Sequence, residues 1–417
     1  MTETVEVYLW PEKPVGRLWF RSLNGRESAS FEYDHSWLAP QASEKNEYDS
    51  PSCFALEPGL KLNAGTFHTQ NMALFGALGD SAPDRWGRIL MRRREERQAR
   101  AAGKTPRTLT ELDFLLGIND EARQGALRFK KQGSDLFLAP SETNAIPPLV
   151  ALPRLLSASE RFLESKESDE DLRLLLVPGS SLGGARPKAS VYDAGNLSIA
   201  KFPRKDDEFQ TTLWEALALT LARKAGIHVP AWRIERVIDK PVLVLKRFDR
   251  QGQRRIPFLS AMSMLGARDN EQHSYLEIAF ALIQYGAEAQ RDLEELWRRL
   301  VFNICISNTD DHLRNHGFLL NSSKGWRLSP AYDLNPVPRQ TGLSFLSLAI
   351  DSASREASLE TAFSVINDFR IKKETAMTIL NDVQRAVKDW QNSARSLGIK
   401  RRESERMASA FEGRISD

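Results

Sequence analysis

The run Asn308-Thr309-Asp310-Asp311-His312-Leu313-Arg314-Asn315 follows directly on an apolar segment and carries far more polar groups than a simple turn needs. Its spacing is informative. Asp310 and Asn315 stand as D-x-x-x-x-N, the arrangement in which phosphoryl-transfer enzymes use a carboxylate to orient an attacking hydroxyl and a carboxamide oxygen to help hold Mg²⁺. Two oxygen ligands suit Mg²⁺, which keeps several waters and phosphate oxygens in its shell. His312 and His316 are four apart, but no Glu follows His312 and Gly317 opposes a helix, so a zinc-protease pattern fails. Helix capping and turn formation by Asn and Asp would explain some of these residues, though not their order together with those below.

Four further groups fit the same chemistry. Gly179-Ser180-Ser181-Leu182-Gly183-Gly184, followed by Lys188, is a glycine-rich turn that lets backbone N–H groups approach phosphate oxygens; it matches neither a Walker A loop nor G-x-G-x-x-G, and a plain hairpin turn is the alternative. Lys201 sits in the strand-like run Leu197–Phe202, and Glu215 lies one element later in a helical run. A strand lysine paired with a helix glutamate is how kinases hold ATP phosphates; an edge-strand lysine that blunts aggregation is the simpler reading. Asp333, in "SPAYDLNP", stands where a second metal-binding aspartate would follow the catalytic loop.

The elements that must position these groups can be read from pattern. Val5–Trp10 and Val15–Phe20 read as strands. Asp84–Ala102 is helical and basic, with seven arginines from Arg85 to Arg100; a solvated face is the ordinary reading, a tRNA- or DNA-facing surface the functional one, and no recognition-helix pattern is present. Leu138–Pro153 reads as a linker. After it the pattern is strand (Leu172–Val177), glycine-rich turn, strand (Lys188–Tyr192), turn (Asp193–Asn196), strand (Leu197–Phe202), and helix (Thr211–Ala225) with Thr211 or Thr212 as N-cap. Val242–Lys246 is a further strand. Beyond Ser260 the chain turns helical, and Leu293, Leu296, Trp297, Leu300, Val301 and Ile304 form the stripe that delivers the Asp310 loop. The 417 residues, 41% hydrophobic and 27% charged with net charge +3, describe a soluble chain of more than one domain. Two distant cysteines, no apolar run of membrane-spanning length and no signal-peptide pattern predict a cytoplasmic protein that contacts no membrane.

Taken together, Ser181–Lys188, "AKFPR", "WEALALTLARKAGI", "LVLKRFDR", "NTDDHLRN" and "SPAYDLNP" resemble the HipA family, the serine/threonine kinase toxins of bacterial type II toxin–antitoxin systems; "PDRWGRILMRR" and "DFLLGINDEARQGALRF" resemble its appended subdomain more loosely. The resemblance implies an α+β, protein-kinase-like two-lobed fold with a small β-rich lobe, a larger helical lobe and an appended N-terminal α/β subdomain. Its divisions would be an N-terminal subdomain over 1–140, a linker and connecting helix over 141–170, an N-lobe over 171–250 and a helical C-lobe over 251–417. It implies Asp310, Lys201 and Glu215 as catalytic residues, and Asn315 and Asp333 as Mg²⁺ ligands. Nucleotide contacts would come from Ser181, Gly183, Gly184, Lys188, Lys201, Lys246, Phe248 and His312, with adenine met by backbone groups of Lys246–Phe248. Autophosphorylation would fall on Ser181, with Ser180 as the neighbouring choice. ATP and Mg²⁺ are the implied cofactors. The implied partners are a translation component such as an aminoacyl-tRNA synthetase as protein substrate and a HipB-like DNA-binding antitoxin, with operator DNA reached only through that antitoxin. A binding module that has lost turnover and a small-molecule phosphotransferase are the alternatives. Arg314 stands where the family often has lysine, which is compatible with a structural role.

Overall fold

The structure, a computed structural model, describes residues 2–39, 53–138, 146–177, 184–320, 324–339, 344–351 and 354–412. Ser180, Ser181 and Gly183 lie outside the described residues. The chain divides into two compact units.

The first unit comprises Met1–Arg204, Asp249–Leu259 and Leu320–Ser323. Strands β1 (Thr2–Leu9), β2 (Lys13–Leu23), β3 (Arg26–Tyr33), β4 (Thr66–His68) and β5 (Leu127–Lys131) form an antiparallel sheet of order β4-β3-β2-β1-β5. Alternation drives it: Val5, Val7 and Leu9 face inward while Glu6 and Tyr8 face outward. Gly16 is needed where β2 meets β3, since a Cβ there would come within 2.2 Å of the Glu32 carbonyl and 2.6 Å of the Phe31 ring. Val5, Val7, Leu18, Phe20, Phe31, Trp37, Leu90, Phe114 and Phe129 supply the core.

The helix Arg85–Ala101 belongs to this unit, N-capped by Asp84, and its arginines are largely engaged. Arg88 pairs with Glu111, and the guanidinium groups of Arg88 and Arg92 lie over the Phe114 ring. Arg93 and Arg97 converge on Glu167, whose side chain is 1% exposed. Arg88, Arg93 and Arg97 are thus tied to carboxylates, while Arg85, Arg92 and Arg100 are exposed.

Two segments differ from the sequence reading. Leu172–Val177, expected as a strand, lies in a helix, Asp169–Leu176, nucleated by a capping box in which Ser168 accepts from the Asp171 N–H and Asp171 accepts in return. The capping signal outweighs the apolar run. The expected linker closes early: residues 149–151 form a 3₁₀ turn and a helix spans Leu152–Leu163, with Pro153 in its first turn, where a missing N–H costs nothing. Strands β6 (Lys188–Asp193) and β7 (Asn196–Lys201) then form a hairpin through Ala194 and Gly195, both at positive φ.

The second unit comprises Lys205–Phe248, Ser260–Leu319 and Lys324–Asp417. Helix Thr211–Lys224 is its axis, buried almost all round, and packs on β8 (Trp232–Val237) and β9 (Lys240–Lys246) and on the helices Lys373–Lys388 and Trp390–Ser396. Its N-cap is Gln210, not a threonine: Thr211 bonds Asp207, and Thr212 donates to the Pro241 carbonyl instead. Trp390 stacks on Phe411 at 4.6 Å, and the Trp214 indole donates to Glu403 at 2.7 Å, so the C-terminal segments lie against the axis. Helix Ala289–Cys305 buries the predicted stripe and ends at the Asp310 loop. No helix among the described residues is long and apolar enough to cross a membrane.

Candidate active site

The Asp310 loop begins where helix Ala289–Cys305 stops. Ser307 takes a left-handed φ of 53°, its hydroxyl donates to the Ala410 carbonyl at 2.9 Å, and the Asn308 N–H returns to the Asn303 carbonyl at 2.9 Å. The two adjacent aspartates then part company. Asp310 is exposed, and its carboxylate makes no hydrogen bond or ion pair with the described residues. Asp311 is 2% exposed and accepts from Tyr275 Oη and from His316 Nε2, the latter at 2.8 Å. Burial alone would raise the Asp311 carboxyl, but His316 and the two hydrogen bonds outweigh it and hold it below the ordinary carboxylate value.

Three successive carbonyls of the loop are claimed. Ser347 N and Oγ both donate to Thr309 O, at 3.0 and 2.9 Å. Asn315 Nδ2 donates to Asp310 O at 3.2 Å, and Leu348 N to Asp311 O at 3.2 Å. The backbone from which the Asp310 carboxylate projects is therefore fixed on every peptide. With its Nδ2 committed, Asn315 has Oδ1 on the other side, where it accepts nothing from the described residues. Arg314 forms a bidentate pair with Asp269, a structural use. His312 is exposed at the mouth of the loop.

The Asp333 segment runs beside this loop. Tyr332 Oη donates to the Arg314 carbonyl at 2.8 Å, and Val337 N to the Ser307 carbonyl at 3.3 Å. Asp333 itself has a φ of 59°, a region where Asp is among the tolerated residues. Phe248 packs on Tyr332, ring centroids 5.5 Å apart. Of the Lys246–Phe248 backbone, the Lys246 N–H is already bonded to the Ala231 carbonyl at 2.8 Å. Glu215 is buried on the axial helix. The residue types at Asn315 and Asp333, a carboxamide and a carboxylate, are oxygen donors of the kind Mg²⁺ takes. Among the described residues no group of three or more His, Cys, Asp or Glu side chains is placed to hold a metal ion.

In the first unit, Lys201 and Lys188 face each other in the β6–β7 register. Lys188, expected among the phosphate donors, is 3% exposed; its Nζ donates to Asp84 at 2.9 Å and to the Gly184 carbonyl at 3.1 Å, so part of its charge stabilises the end of the glycine-rich turn. Gly184 has a φ of 97° that only glycine adopts readily. The R-F-D-R motif also has a structural use here: Asp249 accepts from Gly125 N at 2.8 Å, and Arg250 donates to the carbonyls of Glu121, Arg123 and Gly125.

Sequence reasoning missed Tyr275, Asn303, His316 and Ser347. A signal existed for Asn303: it is a lone carboxamide in "RRLVFNICI", on the buried side of an apolar helix. Nothing local marks Tyr275 or Ser347, which reach the loop from distant segments.

Comparison with known proteins gives these features a context. The fold is α+β and kinase-like: the chain superposes over 99% of its length on 96% of HipA from Shewanella oneidensis MR-1, solved with HipB and operator DNA, at a TM-score of 0.67 and 15% identity. The model of the HipA-like C-terminal domain matches residues 180–390, and the chain belongs to that family. It is 25% identical over 201 residues to a putative kinase of Haemophilus influenzae and 29% identical over 161 residues to putative kinase Y4dM of Sinorhizobium fredii, matches that take in 41% and 35% of this chain. The chain spans 58% and 39% of the lengths of those two relatives.

Proposed function

We propose that this protein is an ATP- and Mg²⁺-dependent serine/threonine protein kinase, acting in the cytoplasm as the toxin of a toxin–antitoxin pair. The observation that carries the reading is the split between the two aspartates: an exposed, unpartnered Asp310 on a backbone clamped at three carbonyls, with Asn315 and the Asp333 segment alongside. In the reaction, the Asp310 carboxylate orients the substrate hydroxyl and accepts its proton. The hydroxyl oxygen bonds to the γ-phosphorus, the bond from that phosphorus to the β–γ bridging oxygen breaks, and ADP leaves with the electron pair. Asn315 Oδ1 and the Asp333 carboxylate would hold Mg²⁺, which when bound neutralises charge on the phosphates. On the family's pattern, Lys201, Glu215 and the glycines Gly183 and Gly184 of the glycine-rich turn are proposed as the residues that serve the phosphates. Lys188 contributes there through Gly184 rather than as a free donor. Lys246, Phe248 and His312 belong to the nucleotide side of the same reading.

The further elements rest on family membership. The proposed substrate is a translation component, an aminoacyl-tRNA synthetase being the foremost candidate, and the partner a HipB-like DNA-binding antitoxin through which operator DNA is reached. Self-inactivation by phosphate on Ser181, or on its neighbour Ser180, would place about −1.5 to −2 charge where the γ-phosphate must sit. The division into an N-terminal subdomain (1–140), a connecting segment (141–170), an N-lobe (171–250) and a C-lobe (251–417) is proposed as the functional one. The test is incubation of cell extract with protein and γ-labelled ATP, followed by phosphopeptide mass spectrometry, with Asp310→Ala as control. New serine or threonine phosphorylation that disappears with Asp310→Ala is the expected result. Equal labelling by a folded Asp310→Ala protein would overturn the reading.

A further inference from the structure

A buried polar cluster lies directly behind the Asp310 loop. Tyr275, Asn303, Asn308, Asp311 and His316 are all at most 2% exposed. They come from separate elements: Tyr275 opens helix Tyr275–Tyr285, Asn303 sits in the last turn of Ala289–Cys305, and His316 follows a 3₁₀ turn. The connections form a chain. Asn308 Nδ2 donates to Asn303 Oδ1 at 3.1 Å, Asn303 Nδ2 to Tyr275 Oη at 3.1 Å, and Tyr275 Oη to Asp311 Oδ2, which also takes His316 Nε2. The rings of Tyr275 and His316 meet edge to face at 5.6 Å.

Apolar side chains of similar volume would fill this space at less cost, because a buried carboxylate loses its hydration and is recovered only by good geometry. What the polar cluster adds is uniqueness of arrangement: each donor has one acceptor it can reach. His316 Nδ1 is buried without a partner, so the ring's single polar tie is to Asp311. The Asp311 side chain is thus held at a fixed place, from two directions. Asp310 is the preceding residue. With one side chain drawn inward and the other left exposed, the peptide joining them has little freedom to rotate.

We infer that Asp311, gripped by Tyr275 and His316, is a positioning residue that aims the Asp310 carboxylate. The catalytic consequence rests on the kinase reading above; the anchoring itself does not. Phosphoryl transfer depends on near-attack placement, and a misplacement of about 1 Å can cost roughly a hundredfold in rate. Loosening the grip is therefore expected to lower kcat and leave ATP binding alone, because neither Asp311 nor its two partners, Tyr275 and His316, stand among the proposed nucleotide contacts.

The test uses the full chain and three variants: Tyr275→Phe, which removes one hydroxyl and keeps the ring, His316→Leu, which removes the donor, and His316→Gln, which supplies a replacement N–H. Two measurements are made on each, steady-state phosphoryl transfer to the extract substrate or to the chain itself, and hydrogen exchange followed by mass spectrometry over residues 306–316. Tyr275→Phe and His316→Leu are expected to lower kcat by roughly a hundredfold with the KM for ATP unmoved. Exchange should quicken in the 306–316 peptide alone, and His316→Gln should recover part of both effects. Wild-type kcat in folded Tyr275→Phe and His316→Leu proteins, a parallel change in the KM for ATP, or unchanged exchange over 306–316 would overturn the inference. If the wild type itself transfers no phosphate, the kinase reading fails, and the exchange measurement still decides whether Asp311 is the anchor.

Discussion

Asn315 donates its side-chain N–H to the backbone carbonyl of Asp310, the residue five positions earlier, at 3.2 Å. One carboxamide therefore has two duties, a donor toward the loop and an oxygen on its far side. Aspartate can perform only the second. Asn315→Asp is expected to lose phosphoryl transfer as fully as Asn315→Ala, by about a hundredfold or more, because its second oxygen would face the Asp310 carbonyl. Initial rates for both variants across Mg²⁺ concentrations check this; near-wild-type activity in Asn315→Asp would separate the loop contact from function.

Asp333 holds a left-handed backbone that Asn tolerates equally well. Asp333→Asn should therefore keep the backbone conformation and fold, while the Mg²⁺ concentration for half-maximal rate rises by about tenfold or more as one anionic ligand is lost. A Mg²⁺ titration beside a melting curve reads both quantities.

Glu57 is 8% exposed and accepts from the Ala77 N–H at 2.6 Å. Burial raises its carboxyl from 4.5 to about 7. The folded state therefore holds this proton more tightly than the unfolded one, and the contribution to stability is complete below pH 4.5 and declines as pH rises to about 7. The change is on the order of 3 kcal/mol. Urea unfolding at pH 5 and pH 8 should show a larger loss for the wild type than for Glu57→Gln, whose side chain does not titrate.

The Arg93–Glu167–Arg97 arrangement predicts an uneven response along the basic helix. Replacing both arginines with alanine leaves a buried carboxylate without its cations. Discounting for the partial exposure of the arginines, this should destabilise by about 2–3 kcal/mol, and Glu167→Gln should recover part of the loss. Arg85→Ala and Arg100→Ala, on the exposed side, should stay within about 0.5 kcal/mol of wild type. Chemical denaturation of the four proteins tests the contrast.

Much of the second unit was readable because its signals are local. The stripe from Leu293 to Ile304 declared a helix, and the Asp310–Asn315 spacing declared the loop that follows it. The failures have different causes. At Leu172–Val177 an apolar run suggested a strand, while the Ser168–Asp171 capping box, equally local, decided for a helix. At Thr211 and Thr212 good N-cap residues were present, but Thr211 bonds the nearby Asp207 and Thr212 the distant Pro241 carbonyl, leaving Gln210 at the cap. Lys188 is joined to Asp84, 104 residues away, a contact that no local pattern reveals. Contacts of that range leave no periodicity in the chain: the spacing to Asn315 singles out Asp310, but nothing local shows that Asp311 is held by Tyr275.

The latch between residues 119–125 and Asp249–Arg255 has a temporal meaning. Asp120 pairs with Arg255 as well as Arg128, and Gly125 N awaits the Asp249 carboxylate. On a ribosome adding about 5–20 residues per second, residues 249–255 emerge roughly 6 to 27 seconds after residues 119–125. Until then Asp120 lacks Arg255, and the Glu121, Arg123 and Gly125 carbonyls lack the Arg250 guanidinium that crosses them. The segment 119–125 therefore completes its hydrogen bonds and ion pairs only once residues 249–255 have been made.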